Sequence, residues 1–197
     1  MGSADADPLR ADALRNRGAI LEAAVDVLAV EPSASLAEVA TRAGVGRATL
    51  YRHFESRESL RSAIREEALA RAAAALAGAG LEGCGAREGI SRAAAVLVPL
   101  GMRFRILLAE GADNDPAFVS ARNEVLQPLV HLVGRGIAEG EFEPTVDPGW
   151  VAVVLAGLLM SAVRAAAAGV VTVQEATDLV PATLFDGLGA RRGRARS

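Results

Sequence analysis

The residues with the most chemistry to offer lie within one short stretch: Arg47, Thr49, Tyr51, Arg52 and His53, with Arg57 just beyond. Read at the helical period, Leu50 and Phe54 stand four apart and point inward, which leaves the other five toward the outside. A face that carries guanidinium, hydroxyl, phenol and imidazole groups suits duplex DNA, whose phosphates take cations and whose base edges take paired hydrogen bonds. With the amino end of this helix toward the duplex, Gly46, Arg47 and Ala48 reach base edges in the major groove. Tyr51, His53 and Arg57 lie where phosphates would run, and Thr41 at the end of the preceding helix completes the candidate set. The plainer alternative is a helical hairpin whose arginines form a solvated face.

Catalytic chemistry has little to work with. Two histidines and one cysteine are present in 197 residues, and no paired carboxylates, metal-ligand spacing or nucleophile beside a base occurs. Cys84 lies in a glycine-rich segment, LEGCGA, where a loop or buried thiol is expected rather than a reactive one. A lone cysteine excludes an intrachain disulfide and fits a reducing, cytoplasmic compartment. No cofactor and no metal is called for.

Two elements must hold the DNA-facing stretch. Ser35 followed three residues later by Glu38 is a capping box, placing a helix start at Leu36. Leu36, Val39 and Ala40 share its inner face, small Ala40 permits a close crossing, and Gly44 supplies the turn that ends the helix. Residues 36–54 thus have the spacing of a helix-turn-helix, with Leu50 plugging the space between the two helices. Upstream, Ile20, Ala24, Val27 and Leu28 mark an amphipathic helix over residues 11–30, stopped by Pro32.

Residues 14–60, and most tightly AGVGRATLYRHFESRESL, resemble the DNA-binding domain of the tetracycline-repressor (TetR) family of bacterial regulators. The segment EPSAS departs from the glycine and aromatic residue that the family usually places between its first two helices. The resemblance implies an all-α homodimer: an amino-terminal helix-turn-helix domain of three helices, over 9–56, and a carboxy-terminal helical ligand and dimerisation domain, over 57–190. Short tails, 1–8 and 191–197, would flank them. Its usual action implies repression of a double-stranded DNA operator, relieved by a small-molecule effector.

Composition neither names nor forbids that partner. The chain is 51% hydrophobic with a net charge of −3, yet residues 36–57 hold four arginines against Glu38 and Glu55. So modest a local charge requires a dimer, or further arginines such as Arg10, Arg15 and Arg17, to gather enough phosphate contacts. The arginine-rich tail, with Arg191, Arg192, Arg194 and Arg196, reads as a solvated tail.

Beyond Phe54, Ser56 can cap a long helix from Arg57 to about Ala77, a connector of roughly 30 Å. Residues 78–89 hold five glycines and read as a loop. A helix from Ser91 should end or kink at Pro99, a short one follows over 102–109, and Asn114-Asp115-Pro116 signals the start of a long helix reaching Glu139 with a kink at Pro128. Residues 150–171 are apolar and about long enough to span a membrane. Arg164 within them, the abundance of Ala and Gly, and the absence of flanking basic clusters favour a helix buried by its own domain and by a partner instead. The last helix spans 172–188, with Pro181 a kink. Among these elements Met102, Phe104, Phe118, Gln127, His131, Trp150 and Met160 are candidates to line a pocket for an apolar molecule held by a few hydrogen bonds, against the alternative that they are ordinary core. Three readings stand: a ligand-controlled DNA-binding regulator, the same regulator without an effector, and a helical enzyme.

Overall fold

The computed structural model describes residues 8–109 and 111–188, and among these it contains α-helices, one 3-10 turn and no strand. The arginine-rich tail, nearly all of the amino-terminal tail and the side chain of Arg10 lie outside the described residues. The chain divides into two compact units. One holds the residues up to Arg71 together with Arg103–Ala121; the other holds Ala72–Met102 and the residues from Arg122 onward. The boundary between the units, after Arg71, falls inside the helix that begins at Arg57, and a segment from the middle of the chain joins the amino-terminal unit.

In the first unit α1 (Pro8–Val30) buries Ile20, Ala24 and Leu28 completely or nearly so. Next come α2 (Leu36–Arg42), α3 (Arg47–His53) and α4 (Arg57–Gly78), the last shared between the units by sequence. Ser56 and Ser59 cap α4 reciprocally: each backbone N–H donates to the other's hydroxyl at 3.1 Å. From further along the chain come α6 (Ile106–Ala109), a 3-10 turn (Ala112–Asn114) and α7 (Pro116–Val125). The Asp115 carboxylate accepts the N–H of Ala117 at 3.0 Å, as its place before Pro116 predicts. Glu22 on α1 accepts from both Arg71 on α4 and Arg103. Arg71 also donates to Glu67 at 2.7 Å and lies 5.7 Å from the centre of the Phe104 ring. These links explain why Arg103–Ala121 belongs with α1 and α4.

In the second unit α5 (Ala86–Arg103), α8 (Gln127–Ala138), α9 (Pro148–Ala167) and α10 (Val173–Asp186) form a helical layer of their own. The α5 helix starts earlier than expected, and Pro99 does not end it. The α5 helix begins at Ala86, five residues before Ser91, because the Glu141 carboxylate accepts the N–H groups of Ala86 and Arg87 and so caps a helix more than fifty residues away. It also runs through Pro99, whose ring is on the exposed side, as far as Arg103. Glycines let the layer close: a Cβ at Gly89 would stand 2.5 Å from Leu132, and one at Gly101 2.5 Å from Val163. The expected long helix over 116–139 is interrupted at Leu126 instead of kinking at Pro128. Pro128 has no N–H for the carbonyl four residues back, so a new helix starts just ahead of it. The α9 helix, capped by Asp147, ends at Ala167, and a left-handed Gly169 turns the chain toward the capping box of Thr172 and Glu175.

Candidate nucleic-acid interface

The α2–α3 pair is built from local rules. Ser35 Oγ accepts the N–H of Glu38 at 3.3 Å, while the Glu38 carboxylate accepts the Ser35 N–H at 2.6 Å and its hydroxyl at 2.8 Å. Those two donors hold the Glu38 carboxyl below the ordinary glutamate range. Gly44 takes φ +68°, a conformation costly for any residue with a Cβ, and the N–H of Val45 closes on the Ala40 carbonyl at 3.0 Å. Leu50 is 0% exposed and Phe54 2%, so the inner side of α3 is sealed against Val39, Ala40 and α1. Arg17 sits over the outer face of Phe54, 5.5 Å from the ring centre.

What remains of α3 faces outward. Arg47, Ala48, Tyr51 and Arg52 are exposed, and among the described residues neither arginine has a hydrogen bond or ion pair within the protein. Gly46 provides the amino-terminal cap position without a capping side chain. Thr49 is half-buried. Thr41 is exposed, and its hydroxyl donates to the Ala37 carbonyl at 3.0 Å within α2. Two residues expected on phosphate are partly enclosed by the protein itself. His53 is half-buried, with Nε2 shielded from solvent and unpartnered. Arg57 turns toward the α1–α2 loop, where its guanidinium donates to the carbonyls of Pro32, Ser33 and Ala34. Of the extra arginines, Arg15 pairs with Asp12. Arg42, outside the candidate set, is also exposed at the end of α2.

The seven residues proposed for an effector pocket fall in both units. Phe104, buried beneath Arg71, and half-buried Phe118 belong to the first unit, the other five to the second. Gln127 and His131 are exposed on α8, Met102 and Met160 are half-buried, and Trp150 is 64% exposed. Of the seven, Trp150 alone lines an open groove of about 580 Å³ in the second unit, bounded also by Phe142, Pro144, Val154, Leu184 and Phe185. One wall of the groove is a stack: Phe142 lies on Phe185 at 4.8 Å, and Arg87, paired with Asp186 at 3.0 and 3.2 Å, lies 4.5 Å from the Phe185 ring centre. That carboxylate is the main reason the Arg87 guanidinium holds its proton more tightly than usual.

A capped helix, a glycine turn and a second helix sealed by one leucine, with arginines and a tyrosine outward, define a helix-turn-helix DNA-binding protein. Residues 20–64 match the family described as bacterial regulatory proteins, tetR family. The HTH-type transcriptional repressor LfrR of Mycolicibacterium smegmatis is 31% identical over 161 residues, which cover 79% of this chain and 81% of that one. The chain belongs to the TetR family of transcriptional regulators. Its fold is similar to the crystal structure of LfrR in complex with proflavine, with a TM-score of 0.73 and 25% identity over 90% of this chain and 98% of that one. A TetR-family regulator from Rhodococcus sp., 20% identical, shares the fold with a TM-score of 0.73 over 88% of this chain and 99% of that one.

Proposed function

We propose that this regulator is a cytoplasmic homodimeric repressor that leaves a near-palindromic operator when a small, largely apolar molecule binds its carboxy-terminal unit. The observation that carries the DNA half is the outward face of α3, where Arg47, Tyr51 and Arg52 keep their polar groups unspent on the protein itself. Arg47 at the first helical position would read base edges; Tyr51 and Arg52 would meet phosphate or the groove wall.

Pairing is supported by what α9 and α10 leave uncovered. In the protomer Val153 is 65% exposed, Trp150 64% and Leu179 47%, large apolar side chains that a second copy would cover. The α9 helix is long and apolar enough to cross a membrane, but in a DNA-binding regulator we assign that face to a second copy of the chain. Two copies would present their α3 helices about 34 Å apart, one turn of the duplex. An effector that binds a dimer with other spacing more tightly must weaken operator binding by the same ratio of affinities.

LfrR has been crystallised with proflavine, so flat aromatic compounds lead the choice of probes. Trp150 is the sole tryptophan, and its fluorescence reports on the groove it lines. The test is a compound screen by thermal shift, followed by release of labelled operator. A compound that raises Tm and releases DNA supports the reading. If every compound that raises Tm left operator binding unchanged, effector control would be wrong.

A further inference from the structure

We propose that Arg57 is a positioning residue of the DNA-binding unit: a clamp that fixes the backbone of residues 32–34, and through it the start of α2, instead of a contact to DNA phosphate. Arg57 is the first residue of α4. Its Nη1 donates to the Ala34 carbonyl at 2.6 Å and to the Ser33 carbonyl at 3.2 Å, and its Nη2 donates to the Pro32 carbonyl. Three consecutive carbonyls thus converge on one guanidinium, whose rigid fork of donors fits such a set in a way that a lysine ammonium does not.

Between the end of α1 at Val30 and the start of α2 at Leu36, the segment's other anchors are the buried Ala34 side chain, the Glu31 N–H on the Val27 carbonyl at 2.8 Å, a turn from the Ala34 N–H to the Glu31 carbonyl at 3.0 Å, and the Ser33 hydroxyl on the Glu31 carboxylate, none of which binds the carbonyls of residues 32–34. It is also the segment EPSAS, which lacks the glycine and the aromatic residue of the family pattern. Ser35, the next residue, is the cap of α2. Fixing the carbonyl of Ala34 therefore fixes where the capping box forms. Since α2 and α3 are joined by the tight turn at Gly44, the same clamp ties the aim of α3 to the first turn of α4. His53 and Arg57 both stood as phosphate contacts by sequence, and in the structure only Arg57 has a built set of partners.

This inference rests on the DNA-binding reading, and its test separates the two. Operator affinity is measured against salt concentration for the full-length parent, Arg57→Ala, Arg57→Lys and, as a control, Arg47→Ala, with amide hydrogen exchange of Ala34, Glu38 and Val39 followed in the DNA-free proteins. The expected result for Arg57→Ala is a loss of about 10- to 100-fold in operator affinity, the scale of a lost charged hydrogen-bond set, with an unchanged slope of log K against log salt and faster exchange at the three amides. Arg57→Lys keeps the charge but recovers less than half of the logarithmic loss. A slope reduced by about one phosphate's worth with exchange unchanged, or full rescue by lysine, overturns the clamp in favour of a phosphate contact. If the alanine variant fails to fold, the salt slope and exchange of the lysine variant decide on the same criteria. Failure of Arg47→Ala to alter operator binding would instead refute the docking of α3, while the exchange data would still judge the clamp.

Discussion

The α3 and α9 helices are both surface helices, and they expose opposite chemistry. The α3 helix has seven residues, buries one of them, Leu50, and presents arginines and a tyrosine. The α9 helix has twenty residues, buries Val151, Leu155, Leu159, Ala162 and Val163, and leaves Trp150 and Val153 exposed in the protomer. Arg47 and Tyr51 in water are ordinary and become informative only by their spacing; Trp150 and Val153 leave apolar surface that a partner would cover. The difference teaches that a charged face and an apolar face suit different partners, the first DNA and the second, in the function proposed above, another copy of the chain.

The strongest way to break this contrast is to remove the plug beneath α3. Leu50→Ala should cost about 2–5 kcal/mol of stability, the range for deleting a fully buried leucine, read by urea unfolding, and should abolish operator binding although no outward residue changes. Retained binding would mean that α3 does not rely on Leu50. On the other side, Val153→Asp with Leu179→Asp should convert a dimer to a monomer in light scattering. Losing the second half-site should lower operator affinity by roughly 100-fold or more through lost avidity; a dimer that survived both charges would place the interface elsewhere.

Arg47→Ala sharpens the comparison, since it leaves the fold intact and should cost about 1–3 kcal/mol of operator binding with relaxed sequence preference. Competition between cognate and scrambled duplexes measures it. Within the second unit, Gly101→Ala should destabilise by about 1–2 kcal/mol, since the added methyl meets the Cβ-branched Val163, where its gain in helix propensity would otherwise stabilise. A raised Tm would show that α5 and α9 have room to part.

The smallest effect is on the capping boxes. Ser35→Ala should cost about 1 kcal/mol, seen as a lower Tm. The Glu38 and Glu175 carboxyls lie below the ordinary glutamate value in the folded chain, because Ser35 and Thr172 donate to them from backbone and side chain. As pH falls, the unfolded chain takes up these protons first, so the boxes contribute fully above the ordinary glutamate value and lose their contribution as pH drops through the lower folded values. Glu38→Gln with Glu175→Gln should flatten the acid side of the stability curve; an unchanged acid limb would deny the boxes this role.

The features that sequence determined are those whose partners lie within a few residues. The capping box at Ser35 and Glu38, the left-handed Gly44, the Asp115–Pro116 start, and the inward Leu50 and Phe54 each follow from a local hydrogen bond, a permitted φ or a helical period. Those features are specified by close neighbours in the chain. Tertiary structure alone decided the rest. Glu141 starts α5 at Ala86 from a distant loop, Arg57 serves three carbonyls across the turn between α1 and α2, and Phe104 leaves its sequence neighbour Met102 for the other unit. The direction an arginine or glutamate takes depends on which donors or acceptors packing brings within about 3 Å of it, and residue type and spacing carry no record of that.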